Sequence, residues 1–503
     1  MSFNLATILR ESAAERPEAP FLYAADRTLT YREVDESSGR IARSLRDRGL
    51  APGDTVAVQL PNVPEFVTTY FGILKAGLVM VPLNPLFTAR EIEFHLTDSG
   101  SRMLITSTFS AAAAFSAAAG AGVSDVVVVG GDPSDGTEAF DRLLDAETMA
   151  DPYPAAAEDT AVLLYTSGTT GRPKGAELTH FSLFMNCTMA PRHFGMTAED
   201  VTLGALPLFH VFGLSSVLNT AARFGSSVAL LPRFEVEAAL DAMCKHNVSV
   251  LIGVPTMFTA FLGADLAGRE FGALRAAVSG GASIPGEVIR GFEEKFPGVV
   301  ILEGYGLSET SSSACFNISA TERKVLSIGK PIWGVEMAIL DADGRQLPTG
   351  PEQVGEVVVR GHCVMKGYFR RPDATAQTIR DGWLHTGDLG YRDEDGYYFI
   401  VDRLKDLIVR GGYNVYPREI EEVLYEHPDI VEAAVIGRPD PRLGEEVEAF
   451  VVCKPESTVD EQALTEYAKQ HLAAYKYPRA FHLVAELPKG ATGKILKREL
   501  RRS

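Results

Sequence analysis

Apolar residues after Tyr31 in YREVDESSGRIARSLRDRG recur at helical spacing, and the segment is expected to be a helix. The period then switches repeatedly. TVAVQL from Thr55 is a short β-rich run closed by Pro61, and EFVTTYFGILKAG is helical again. LVMVPL reads as a strand, REIEFHLTDSG as a helix and RMLIT as a strand. DVVVVG, AVLLYTS, SSVALLP, VSVLIGVP, LRAAVSGG and GVVILEGYG are apolar runs that end in Gly, Ser or Pro. Such alternation predicts an α/β fold with parallel sheets covered by helices. The ends of those strands are where such folds build their sites. AAAAFSAAAGAGV, from Ala111, is expected to be an exposed helix. There is no internal repeat.

Beyond about Val335 the pattern changes. VEMAIL, GEVVVRG and GYYFIV are β-rich runs separated by turns such as DADG and RDEDG. The polar stretch DRLKD then stands between apolar strands, which sets a domain boundary near Arg403 to Lys405. The rest reads strand, helix, strand, strand, helix, a small α+β domain. The expected division is 1–402 and 403–503, with a β-rich subdomain at about 335–402.

Composition narrows the function classes. The chain has 503 residues, enough for roughly two to four domains. A net charge of -18 argues against general nucleic-acid binding but leaves room for a local basic pocket. The five cysteines, Cys187, Cys244, Cys315, Cys363 and Cys453, form no CxxC pair. That suits a reducing compartment with neither a disulfide framework nor a zinc site. The first twenty residues lack the pattern of a signal peptide. The window FGILKAGLVMVPLNPL, from Phe71, is too short to span a bilayer and holds Lys75. A cytoplasmic protein is expected, with peripheral membrane contact left open and either a monomer or a homodimer.

The candidate chemistry begins at YTSGTTGRPKG, Tyr165 to Gly175, directly after a strand. Its glycines let backbone N–H groups converge on an anion, its hydroxyls add donors and Lys174 adds charge. It is not a Walker A loop, because Lys174 is followed by Gly175 and Ala176. Alone, it could equally be a surface turn. His210 in LPLFHVFGL could be a packed core histidine, Glu309 in EGYGLSET a solvated acid, Asp388 in WLHTGDLG a turn aspartate and Lys494 in LPKGATGKILKREL a solvated tail lysine.

Together, however, these stretches resemble the adenylate-forming superfamily of acyl-CoA synthetases, peptide-synthetase adenylation domains and luciferases. The resemblance runs from LTYREV to TGKILKREL, with the motifs in the family's order. It implies a large N-terminal domain, a small mobile C-terminal lid hinged near Lys405, and ATP, Mg2+ and CoA as cofactors. Thr166, Ser167, Gly168, Thr169, Thr170 and Lys174 would grip phosphates. Gly281, Ala282, Ser283, Glu303, Gly304 and Gly306 would surround adenine, with Tyr305 stacked on it and Ile400 nearby; Ser308 would touch the phosphates. Glu309, with Thr166, would hold the metal, and oxygen ligands suit such a hard cation. Asp388 and Arg403 would hold the ribose. His210 would orient the carboxylate being activated. Lys494 would bridge it to the α-phosphate, where a placed cation stabilises the transition state. Gly411, Gly412 and Tyr413 would line the path of the CoA thiol.

The acid should meet Phe209, Phe212, Gly213, Val254, Met257, Gly280, Ala314 and Cys315, which are small or apolar. Relatives resembling malonyl-CoA synthetase carry an Arg just before the Tyr-Gly pair, where this chain has Gly304, so malonate is disfavoured. The expected substrate is an apolar monocarboxylic acid, by likeness a medium- or long-chain fatty acid. A cinnamate-type aryl acid is the alternative. A further alternative acceptor is a carrier protein in place of CoA.

Overall fold

The computed structural model describes residues 3–25, 27–130, 138–166, 172–491 and 493–501. Four sheets form among them. The first has a parallel centre made of Ile301–Tyr305, Ala276–Ser279, Val250–Gly253, Val201–Gly204 and Ser227–Leu230. The second is likewise parallel at its centre, through Thr160–Thr166, Val79–Pro82, Thr55–Val58 and Met103–Ser107. In the first sheet Ile301–Tyr305 ends at Tyr305, and in the second Thr160–Thr166 ends at Thr166, both of them candidate site residues. Central strands such as Thr55–Val58 and Val250–Gly253 are buried at every position. This explains their continuous apolar runs.

Local signals fix the helix starts. Thr30 and Glu33 form a capping box on Tyr31–Asp47, and Thr88 and Glu91 do the same for Ala89–Ser99. The helix Pro64–Lys75 is buried almost all round. Its Lys75 ammonium is fully enclosed and bonds to Asp35 Oδ1 at 2.7 Å. A buried charge of this kind is tolerated only when paired. The alanine-rich helix Ala111–Ala121 is exposed along one side, at Ala112, Ser116, Ala119 and Gly120, and packed along the other. Ala114, Ala117 and Ala118 are buried in one cluster with Ile92 and Leu96. Small side chains allow that close packing, which a period count cannot distinguish from exposure.

The β-rich region from Val335 forms a third, antiparallel sheet, Val335–Leu340, Gly355–Gly361, Trp383–Arg392, Ile379–Arg380 and Tyr398–Arg403. Its Val335, Met337, Val357, Val359, Leu384 and Tyr398 belong to the core of the large domain. A separate core begins at Ile408 and runs through Val415, Ile420, Val435 and Phe481. The two clusters part between Tyr398 and Ile408. The small domain adds three elements to those expected: the hairpin partner Tyr413–Val415, a further strand, Ala480–Leu483, and a last short helix, Lys497–Leu500. All are too short for a period to show. Among the described residues no helix is long and apolar enough to cross a membrane.

Candidate active site

The strand Thr160–Thr166 and its partner Lys174–Thr179 pair in antiparallel register, with Thr166 opposite Lys174. Ser167, Gly168, Thr169 and Thr170 lie outside the described residues. Thr166 Oγ1 donates to Glu309 Oε1 at 3.2 Å, and Tyr368 OH donates to the same oxygen at 2.8 Å. The Lys174 ammonium lies 5.3 Å from the centre of the Tyr368 ring. Burial and the adjacent Glu309 push the Tyr368 hydroxyl well up, so it remains a donor. Tyr368 was missed in the sequence, where VMKGYFRRP offers no chemical signal. Among the described residues no three His, Cys, Asp or Glu side chains cluster. Any metal here would therefore rest on one carboxylate and hydroxyls plus the ligand's own oxygens. Glu309 and Thr166, with oxygens 3.2 Å apart, fit a hard cation held in that way.

A second group assembles where the first and third sheets meet. Asp388 lies opposite Arg403 in the third sheet, so register brings the two together. Arg403 Nε sits 3.0 Å from Asp388 Oδ1, and Tyr305 OH donates to Asp388 Oδ2 at 2.6 Å. Asp388 is only 3% exposed, which leaves its carboxylate dependent on these two partners. The residue expected to stack on a base is thus bonded to the one expected to hold a sugar. Glu303 turns away from this pair: its carboxylate is buried and accepts from the Leu326 N–H at 2.8 Å. Burial pushes it up to about 8, with Arg418 pulling the other way. Ile400 offers its carbonyl to Arg418. Gly281, Ala282 and Ser283 form an exposed loop, and Gly304, Gly306 and Ser308 are half-buried on the strand end and the turn after it.

The third group holds His210 and Lys494. His210 Nδ1 accepts from the Phe212 N–H at 3.3 Å, which places the ring proton on Nε2. Burial, aided by the nearby Lys494 charge, lowers His210 to about 4, so it is neutral at ordinary pH. Lys494 is lowered to about 8, chiefly by burial and then by Arg403, with Asp388 opposing. Its loop is anchored from behind. Gly493 has φ +77° and its carbonyl accepts from Thr256 Oγ1 at 3.3 Å. A Cβ on Gly493 would stand 2.6 Å from that hydroxyl, so only glycine fits.

Around His210 the chain is wound as a wide π-helix, Phe212–Asn219. Such winding is frequent at functional sites. The Phe212 ring lies against the backbone of Gly280, and Phe209 and Phe212 are half-buried. Val254 and Met257 are buried behind them. Gly213 serves close packing, since a Cβ there would lie 2.3 Å from Pro207 O. Ala314 and Cys315 are fully enclosed and present no surface. Ser216 and Ser312, not foreseen, bond to each other at 2.8 Å on this side. Ser311 and Ser312 both hold positive φ, a strain that favours functional loops.

Gly411, Gly412 and Tyr413 stand elsewhere. They are exposed on the small domain, Gly411 N–H donates to Leu443 O at 2.7 Å, and Tyr413 stacks on Tyr475 with ring centres 4.8 Å apart. Lys405 is exposed just after the strand Tyr398–Arg403. The assembled site therefore offers a carboxylate–hydroxyl pair, a buried aspartate–arginine–tyrosine group, a neutral histidine and a lysine cation. That set can bind an anionic ligand carrying a diol and stabilise charge that develops beside His210.

A family profile described as "AMP-binding enzyme" matches residues 9–369, and one described as "AMP-binding enzyme C-terminal domain" matches residues 419–494. A long-chain-fatty-acid–CoA ligase of Bacillus subtilis is 37% identical, covering 99% of this chain and 94% of the relative. A feruloyl-CoA synthase of an Amycolatopsis species is also 37% identical, covering 97% and 96%. The crystal structure of ATP-bound MatB from Rhodopseudomonas palustris superposes with a TM-score of 0.92 at 34% identity, covering 100% and 99%.

Proposed function

Since the chain belongs to the AMP-binding enzyme family, and within it to the AMP-forming acyl-CoA ligases that use ATP, we propose how its residues divide the work and which acid it takes. In the first half-reaction the acid's carboxylate oxygen attacks the α-phosphorus of ATP, and the bond to pyrophosphate breaks. In the second half the CoA thiol attacks the acyl carbon and AMP departs. The observation that carries the reading is the Thr256–Gly493 bond, which seats the loop of Lys494 on the large domain, where the lysine charge is felt by His210 and opposed by Asp388.

In this reading Asp388 accepts from the ribose hydroxyls, with Arg403 and Tyr305 holding its carboxylate in place. Neutral His210 donates from Nε2 to the acid's carboxylate. Lys494 balances the charge that builds as pyrophosphate leaves. Lys174 and Thr166 hold the departing phosphates. Glu309 and Thr166 would hold Mg2+, which supplies charge neutralisation on those phosphates. Gly411, Gly412 and Tyr413 serve the thiol step.

The acid is read as an apolar monocarboxylate, a medium- or long-chain fatty acid. Support comes from the apolar Phe209, Phe212, Val254 and Met257 near His210 and from the Bacillus subtilis relative. A specific observation favours an aryl acid as the second reading. The Ser216–Ser312 hydroxyl pair lies one turn along from Phe212 and could bond a ring substituent, and the feruloyl-CoA synthase is equally identical. Pyrophosphate release measured over fatty acids of graded length, cinnamates, benzoates and malonate, with and without CoA, tests both. Fatty acids of one length range should give the highest kcat/KM. A hydroxycinnamate preference abolished by Ser216→Ala would replace that reading with the aryl one.

A further inference from the structure

Two helices meet across the seam between the domains, and each has its start closed by a carboxylate from the other side. The helix Pro417–Tyr425 follows Tyr416, whose side chain makes no cap. Its Arg418 N–H instead donates to Asp402 Oδ2 at 3.0 Å, on the strand Tyr398–Arg403 of the large domain. The helix Gly286–Lys295 follows Pro285, which has no capping group. Its Gly286 N–H donates to Glu422 Oε2 at 3.3 Å, on the small domain. Arg418 joins the two caps: its guanidinium donates to the Ile400 carbonyl and its Nε lies 3.8 Å from Glu422 Oε1.

The first N–H groups of a helix lack partners within it, and a carboxylate there also meets the positive end of the helix dipole. Most helices close this end with their own chain. Here the caps are exchanged, so each is satisfied only while the small domain sits in this orientation. Arg418 is also the foremost opposing charge for the buried Glu303 carboxylate. Withdrawing the small domain would remove that compensation too. The Thr256–Gly493 bond is a further direct tie, at the Lys494 loop itself.

We infer that Asp402, Arg418 and Glu422 are positioning residues whose exchanged helix caps hold the small domain so that Lys494 stands beside His210 during adenylation. The inference rests on the role given to Lys494 above. The three side chains act through the seam and leave the thiol step to other residues.

The test uses the full chain with Arg418→Met, Glu422→Ala and Glu422→Gln. Three readouts are compared: pyrophosphate release without CoA, thioester formation from supplied acyl-AMP and CoA, and hydrogen exchange of the Gly286 and Arg418 amides. Arg418→Met and Glu422→Ala should slow pyrophosphate release roughly tenfold, the order of one lost charge-assisted bond. Thioester formation should be unchanged or faster. Glu422→Gln keeps an acceptor oxygen and should lose less than the alanine variant. Equal loss in both half-reactions, or undiminished pyrophosphate release, overturns the inference. The exchange readout separates it from the reading of Lys494. Faster exchange at Gly286 in Glu422→Ala supports the caps even if Lys494→Ala proves fully active in adenylation. Unchanged exchange overturns them whatever Lys494 does.

Discussion

The small domain carries two glycine loops of opposite circumstance. The loop at Gly493–Lys494 is pressed into the large domain, with the Thr256 hydroxyl on the Gly493 carbonyl and the lysine drawn down to about 8. The loop at Gly411–Tyr413 is exposed, and its partners Leu443 and Tyr475 belong to its own domain. In both, glycine holds a positive φ, +77° at Gly493 and +85° at Gly412. At Gly493 a Cβ would collide with Thr256, whereas at Gly412 it would meet nothing within 4 Å. Glycine at Gly412 therefore answers to no contact in this orientation. If its lack of a side chain matters for more than backbone strain, it does so in another arrangement of the two domains. One small domain thus carries two loops, of which one is engaged here.

Breaking the engaged loop should have the largest effect. Lys494→Ala should slow pyrophosphate release by roughly a hundred- to a thousandfold, the usual consequence of removing one preorganised charge-stabilising group. Thioester formation from supplied acyl-AMP and CoA should survive. If that variant releases pyrophosphate at the normal rate, Lys494 is not the adenylation cation. The complementary break is Gly412→Leu. It should spare pyrophosphate release and slow the thiol step by the roughly hundredfold that misplacing a reacting group costs. Leucine at positive φ also costs about 1 kcal/mol of stability. Gly412→Ala shares that strain with less bulk and serves as the control. Equal damage to both half-reactions would erase the distinction between the loops.

How far this comparison was legible in the sequence depends on how local each signal is. The α/β architecture was readable because buried parallel strands leave continuous apolar runs ended by Gly, Ser or Pro. The motif residues Tyr305, Asp388 and Lys494 were readable by resemblance, but their mutual contacts were not. The Tyr305–Asp388 bond joins positions 83 residues apart. Tyr368 looks like any half-buried tyrosine until its hydroxyl is seen on Glu309, 59 residues away. The exchanged caps were invisible for the same reason. A cap is recognised by its own helix's first residues, and Glu422 caps a helix whose first residue lies 136 positions earlier. Expected wall residues Ala314 and Cys315 failed to reach any surface because composition alone does not tell a lining residue from one enclosed behind it.

The smallest effect sharpens the comparison without breaking either loop. Lys494 stands at about 8 against an ordinary lysine value of 10.5, because burial penalises its charge. Between those values the unfolded chain binds more protons at this position than the folded one. The penalty on folding is therefore complete below about pH 8 and fades as pH rises toward 10.5. Catalysis runs the other way, since the cation needed for adenylation is lost on the same rise. With ATP limiting, pyrophosphate release should fall roughly fourfold half a unit above that pKa. His210, at about 4, is already neutral throughout and adds no inflection near neutrality. The thiol step, which does not use Lys494, should show no such fall over the same range, since deprotonation of the attacking thiol can only speed it. Saturating ATP should move the limb upward, because bound phosphate favours the charged amine. Lys494→Arg should abolish the limb, since guanidinium stays protonated. An alkaline limb that persists in Lys494→Arg would belong to another group and would detach the engaged loop from the pH dependence.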